Sequence, residues 1–168
     1  RRRDAIRTLE ALLQAAQDLF GAKGYAGTTL RQIGERAGVD AALVARYFGS
    51  KTAIYIASLD TEGPDATAAA PLTLEFIDRM IGRITSVGPS PLQQAVVLRT
   101  ADDEVRDATR RIIDARITQP LLQEMARRRL DHPNLRAEIA FAVLTGIVLA
   151  RSAGTFETLA EADHDDVV

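Results

Sequence analysis

Over most of this chain apolar residues fall three and four positions apart, the period of a helix with one buried face, and that predicts an all-α fold. Ile6, Leu9, Leu13, Ala16 and Phe20 form a stripe on a first helix, capped by Asp4 and running to about Gly21. Leu30, Ile33 and Ala37 share one face of a short second helix, about Leu30–Ala37. Val44 and Phe48 share one face of a third, about Ala41–Phe48, and Ser50 caps a fourth. Residues 61–73 are rich in Ala, Pro, Asp and Thr and read as a linker, with Pro64 and Pro71 as breakers. A helix over about Leu74–Val87 follows, with Ile77, Met80, Ile81 and Ile84 inward. Gly88-Pro89-Ser90-Pro91 ends it and starts another, whose apolar residues are Leu92, Ala95, Val96 and Leu98. A long helix covers about Asp102–Arg129, with Val105, Ala108, Ile112, Ile113, Ile117, Leu121 and Met125 on one side and a kink at Pro120. The last clear helix, about Leu135–Ala153, is of a different kind: from Ala137 to Ala150 only Glu138 and Thr145 are polar. A helix apolar all round must be covered on more than one side.

The stretch Thr28–Lys51 carries the most specific local chemistry. Thr29 and Gln32 have the S/T-x-x-E/Q spacing of a capping box, in which each side chain satisfies a backbone N–H of the other. Gly38 follows the last apolar residue of the second helix, where the chain turns through a left-handed conformation. Val39 plugs the corner, and Asp40 caps the third helix. Short helix, glycine turn and short helix around shared apolar contacts is the helix-turn-helix pattern, whose second helix enters the DNA major groove.

Residues Ala5–Ile56 resemble the DNA-binding domain of the TetR (tetracycline-repressor-like) family of bacterial transcription regulators. The resemblance rests on Phe20-Gly21-Ala22-Lys23-Gly24-Tyr25, on Gly27-Thr28-Thr29-Leu30-Arg31-Gln32-Ile33, on Ala37-Gly38-Val39 and on Arg46-Tyr47-Phe48-Gly49-Ser50-Lys51, in that order. It implies a DNA-binding domain over residues 1–50 and a helical ligand-binding and dimerisation domain over 51–168, ending before a final helix that begins near Asp165. The absence of an initial Met ahead of Arg1-Arg2-Arg3 suggests a piece of a longer protein.

The net charge of −2 does not by itself suggest a nucleic-acid binder. Its distribution does. Residues 1–55 hold nine basic against five acidic groups, and the rest of the chain twelve against eighteen. A basic head on an acidic body suits a protein that presents one end to phosphates. The Arg1-Arg2-Arg3 run could follow a groove, or simply be solvated. With no cysteine there is neither a disulfide frame nor a thiolate metal site, which is compatible with the cytoplasm. No charge-free apolar run approaches the ~18 residues of a membrane span.

The family resemblance places DNA contacts at Thr28, Thr29 and Arg31, along Ala41, Ala42, Leu43, Ala45, Arg46 and Tyr47, and at Lys51. The two threonines stand at a helix N-terminus, Arg31 and Arg46 can reach guanine or phosphate, and Tyr47 and Lys51 suit phosphate. Ala42, Leu43 and Ala45 depart from the polar side chains common in the family. They suit thymine methyls, with further specificity drawn from DNA shape. Lys51 at the first turn of a helix opposes the helix dipole, which favours an external anion beside it. The strip Ala142, Gly146 and Ala150 permits close approach of a second copy, as a two-headed reader of a palindromic operator requires. For an effector pocket, the candidates are Phe76, Met80, Arg99, Ile113, Phe141 and Thr145, each also a plausible core residue.

Enzyme motifs are missing. His132 and His164 lie in polar, turn-like sequence, and Asp102-Asp103-Glu104 with Asp107 suits a helix N-terminus better than a metal. The expectation is a homodimeric DNA-binding regulator, a repressor released from its operator by a small molecule, with no cofactor. The rival is a helical adaptor that lacks sequence-specific binding.

Overall fold

A computed structural model describes residues 2–60, 82, 88–98, 100–163 and 166. The linker at 61–73, the expected Leu74–Val87 helix apart from Gly82, and Arg99, His164, Asp165, Val167 and Val168 lie outside the described residues. Among the described residues the regular structure is entirely helical: α1 (Arg2–Lys23), α2 (Leu30–Ala37), α3 (Ala41–Phe48), α4 (Lys51–Asp60), α5 (Pro91–Val97), α6 (Asp103–Ile113), a π turn (Asp114–Thr118), α7 (Gln119–Arg127), α8 (Pro133–Ala153) and α9 (Glu157–Glu161). Contacts gather the chain into two compact units, Arg1–Glu62 with Ser90–Thr109, and Gly63–Pro89 with Arg110–Val168. The first unit thus takes in α4, α5 and the start of α6 as well as the helix-turn-helix.

In the first unit α1 is the brace. It packs against α2, α4 and α5, and its fully buried side chains are Leu12, Ala16 and Phe20. The expected stripe is therefore rotated and shorter. Leu9 and Leu13 are half-buried, and Ile6 is 50% exposed. The run Ala11-Leu12-Leu13 is apolar throughout, so periodicity does not decide which leucine turns inward. Asp4 does not cap α1, which begins at Arg2; it lies in the first turn, where its charge suits the helix dipole. Ile33, Val44, Ile54 and Leu59 complete the core from α2, α3 and α4. Arg36 ties α2 to α1 by donating through Nη2 and Nε to one oxygen, Oδ2, of Asp18, at 2.6 and 3.0 Å.

Ser90 and Gln93 close a capping box on α5, and both are buried. Of the apolar residues of this stretch, Leu92 is buried and Leu98 is 50% exposed. α6 is capped by Asp102, whose Oδ1 accepts from the Val105 N–H at 3.1 Å.

In the second unit, where a kink is expected at Pro120, a π turn stands just before it. Proline has no N–H to donate and its ring crowds the carbonyl four residues back, so the wider turn lets the helix continue as α7. Ile117 within the turn and Leu121 and Met125 beyond it remain buried. α8 buries Ala137, Thr145 and Val148, and a closing turn at Gly154 brings α9 back against it. The Arg151 guanidinium holds that return by donating to the carbonyls of Leu159 and Ala162, at 3.2 and 2.6 Å. By length and composition α8 could cross a membrane, with a mean hydropathy of 1.4.

Candidate nucleic-acid interface

The capping box expected at the start of α2 is formed. Thr29 Oγ1 accepts from the Gln32 N–H at 3.2 Å, and Gln32 Oε1 accepts from the Thr29 N–H at 2.9 Å. At the other end Gly38 adopts φ 70° and ψ 28°, a left-handed conformation that costs an L side chain about 1–2 kcal/mol. The Val39 N–H then reaches the Gly34 carbonyl at 2.9 Å and closes the corner. Gly34, not singled out in the sequence, matters as much. A Cβ there would stand 2.9 Å from the Val39 carbonyl oxygen and 3.1 Å from Ala41 Cα, so only glycine lets the turn lie this close on α2. Asp40 caps α3 by accepting from the Ala42 N–H at 2.7 Å.

These constraints fix which side of α3 remains open. Val44 is fully buried, and Ala41, Leu43 and Phe48 are half-buried. Ala42, Ala45, Arg46 and Gly49 are exposed, and their i, i+3, i+4, i+7 spacing puts them on one face. Tyr47 is 40% exposed to one side of it.

Thr28 is a correction. It is fully buried, and its hydroxyl lies 3.1 and 3.0 Å from the carbonyl oxygens of Leu19 and Gly24, which accept its proton. It fastens the α1–α2 connection and cannot meet a phosphate. Thr29 is exposed. Arg31 has 82% of its side chain exposed and donates through Nε to Glu35 at 2.8 Å. That hydrogen bond, and then the Glu35 charge, raise its pKa above the ordinary arginine value. The carboxylate engages one of the five N–H donors of the guanidinium, and a phosphate could approach the others.

Lys51 stands at the first turn of α4, which Ser50 caps through the Ala53 N–H at 3.0 Å. Its ammonium lies 4.3 Å from the centre of the Tyr25 ring. Partial burial lowers its pKa below the ordinary lysine value.

Of the other expected site residues, Ile113 and Phe141 are half-buried and Thr145 is fully buried. Among the described residues the Thr145 hydroxyl has no hydrogen-bond partner. Phe76, Met80 and Arg99 lie outside the described residues. Ala142 and Gly146 are exposed on α8 and Ala150 is half-buried. Asp102 is used as a cap and Asp103 pairs with Arg106 at 2.7 Å. His132 is exposed in the loop before α8, at φ 47°.

A family model described as the bacterial regulatory proteins of the tetR family matches residues 12–57, and one described as the tetracyclin repressor-like C-terminal domain matches residues 70–168. The chain belongs to the TetR family. The HTH-type transcriptional repressor Rv3405c of Mycobacterium tuberculosis (strain H37Rv) is 46% identical over 57 residues, 34% of this chain and 30% of that protein. RutR of Escherichia coli (strain K12), an HTH-type transcriptional regulator, is 50% identical over 50 residues, 30% of this chain and 24% of that protein. The chain thus spans less than a third of the length of these curated relatives. Among solved structures, the fatty acid degradation regulator FadR from Bacillus halodurans superposes with a TM-score of 0.68 at 13% identity, over 95% of this chain and 92% of that one. NalD of Pseudomonas aeruginosa, the secondary repressor of the MexAB-OprM multidrug efflux pump, does so with a TM-score of 0.63 at 21% identity, over 96% and 90%. At these identities the likeness is one of fold.

Proposed function

We propose that this protein is a DNA-binding transcription regulator of the cytoplasm, a repressor released from a palindromic operator by a small molecule. The observation that carries the reading is the open face of α3, held out by the Gly34–Gly38 turn in a chain of the TetR family. Arg46 is the base reader and Ala42 and Ala45 are partners for thymine methyls, flanked by Ala41 and Leu43. Thr29, Arg31, Tyr47 and Lys51 are the phosphate contacts.

Two copies are needed to read a palindrome. The surface we assign to the second copy is the outer face of α8, where Ala142 and Gly146 lie among exposed Leu135, Ile139 and Val143, with Ala150 at its edge. The effector belongs to the helical unit. There we assign one polar contact to the buried Thr145 hydroxyl, without a hydrogen-bond partner among the described residues, and apolar contacts to Ile113 and Phe141. FadR of Bacillus subtilis, a fold relative with a TM-score of 0.52, is described in complex with stearoyl-CoA. Release requires the ligand to favour a conformation with mis-spaced reading heads.

The test is selection of binding sites from a random duplex pool, followed by titration at several salt concentrations. A regulator selects a two-fold symmetric site and binds it roughly 10³–10⁷ times more tightly than mixed sequence. Arg46→Ala then costs about 1–3 kcal/mol at the selected site and relaxes one base position per half-site, while Lys51→Ala weakens all duplexes alike. Equal affinity for every duplex would overturn the reading in favour of an adaptor.

A further inference from the structure

One ring in the first unit is held from several sides. Tyr25, between α1 and α2, stacks on Phe20 with centroids 6.2 Å apart and meets the edge of Tyr55 at 5.0 Å. Its hydroxyl lies 2.9 Å from Thr52 Oγ1 and donates to Asp102 Oδ2 at 3.4 Å. The other oxygen of that carboxylate caps α6. The ring is thus pinned by α1, by α4 and by the residue that starts α6, and Lys51 Nζ rests on its face at 4.3 Å.

Lysine is a poor fixed contact when left to itself. Its stem has four rotatable bonds, and ordering it on binding costs entropy. At the first turn of α4 the helix dipole also disfavours its charge. An aromatic face compensates for both, by holding the ammonium in one place and offering it negative potential. A ring approaches from one side, so N–H donors of the ammonium stay free for an outside oxygen.

We propose that Tyr25 is a positioning residue for DNA binding, its ring presenting the Lys51 ammonium to a backbone phosphate, with Thr52 and Asp102 keeping the ring in place. This rests on the reading of the protein as a DNA binder with Lys51 as a phosphate contact. Tyr25 itself touches no DNA.

The test is the salt dependence of binding to a mixed-sequence duplex, followed by fluorescence anisotropy of labelled DNA. Removing one phosphate contact lowers the log–log slope by about 0.9 per reading head. Lys51→Ala and Tyr25→Leu are each expected to lower it by that amount, and the double variant by no more than either alone. Tyr25→Phe keeps the face of the ring and its packing on Phe20 and Tyr55 but loses the holds of Thr52 and Asp102, and should lower the slope by less than Tyr25→Leu does. If Tyr25 served the fold alone, Tyr25→Leu would leave the slope unchanged, and its loss of affinity would add to that of Lys51→Ala; either result overturns the proposal. Should Tyr25→Leu fail to fold, the wild-type proton spectrum decides. Ring current must move the Lys51 ε-methylene protons upfield, and unshifted protons refute the arrangement. A wild-type protein that binds no duplex overturns the DNA-binding reading as well; a wild-type slope retained in Tyr25→Leu overturns this proposal alone.

Discussion

Phe20, Ile33, Val44, Ile54 and Leu59, from four different helices, are all fully buried within the first unit, whereas α8 of the second leaves Leu135, Ile139 and Val143 more than half exposed. Burying a side chain of this size is worth about 1.5–3 kcal/mol. Around its helix-turn-helix the first unit takes that gain within itself and leaves alanines, a glycine and an arginine on the open face of α3, a surface suited to a hydrated, charged partner, while Ile6, Val97 and Leu98 elsewhere on the unit are about half exposed. α8 holds the same kind of gain in reserve, and a second apolar surface could realise it. The contrast teaches that apolar residues at helical spacing can serve two ends. In α2 and α3 they close a core, and in α8 they furnish both a core and the face assigned above to a second copy.

The comparison breaks most visibly where the first unit is densest. Phe20→Ala removes a fully buried ring that stacks on Tyr25 and meets Tyr55 at 4.8 Å, and should cost about 3–5 kcal/mol in urea unfolding. A near-neutral result would mean that this core is less closed than its burial indicates. Next comes the opposite experiment on α8. Val143→Arg should leave helix content unchanged while removing about 1 kcal/mol of association free energy for each copy's side chain, about half of which is already covered, seen as monomers in sedimentation velocity. Loss of helix content instead would place Val143 within the monomer's own core.

Gly34→Val probes the close approach that sets α3. It should cost about 1–3 kcal/mol by forcing the Val39 carbonyl away, and should weaken DNA binding more than overall stability, as read by anisotropy alongside thermal melting. The smallest effect expected is that of Asp40→Ala, which loses the α3 cap at about 1 kcal/mol while adding no bulk near the open face.

Much of the first unit is legible without coordinates, because its signals are local. A capping box joins residues three apart, and a helix-ending glycine answers to the backbone at its own position. Thr29, Gln32, Gly38, Asp40 and Ser50 all do in the structure what their spacing announces. Thr28 stands next to Thr29 and has the same functional group, yet its hydroxyl turns inward to Leu19 and Gly24. The spacing to Gln32 picks out Thr29 as the cap, but nothing that near says that Thr28 turns inward against Leu19, nine residues away. Gly34 escaped notice for a related reason: a mid-helix glycine has many explanations until the Val39 carbonyl is seen against it.

What the order of residues alone determined is the all-helical character, the caps and corner of the helix-turn-helix, and the chemistry available on α3. These follow from backbone preferences and from a period of 3.6, which act over a few residues. Tertiary structure decided which of Leu12 and Leu13 faces the core, that Lys51 rests on Tyr25, that Asp102 serves both a helix cap and a tyrosine hydroxyl, and that one side of α8 stays bare. Those outcomes depend on which surfaces meet across tens of residues, and burial is non-directional until a particular partner takes the place.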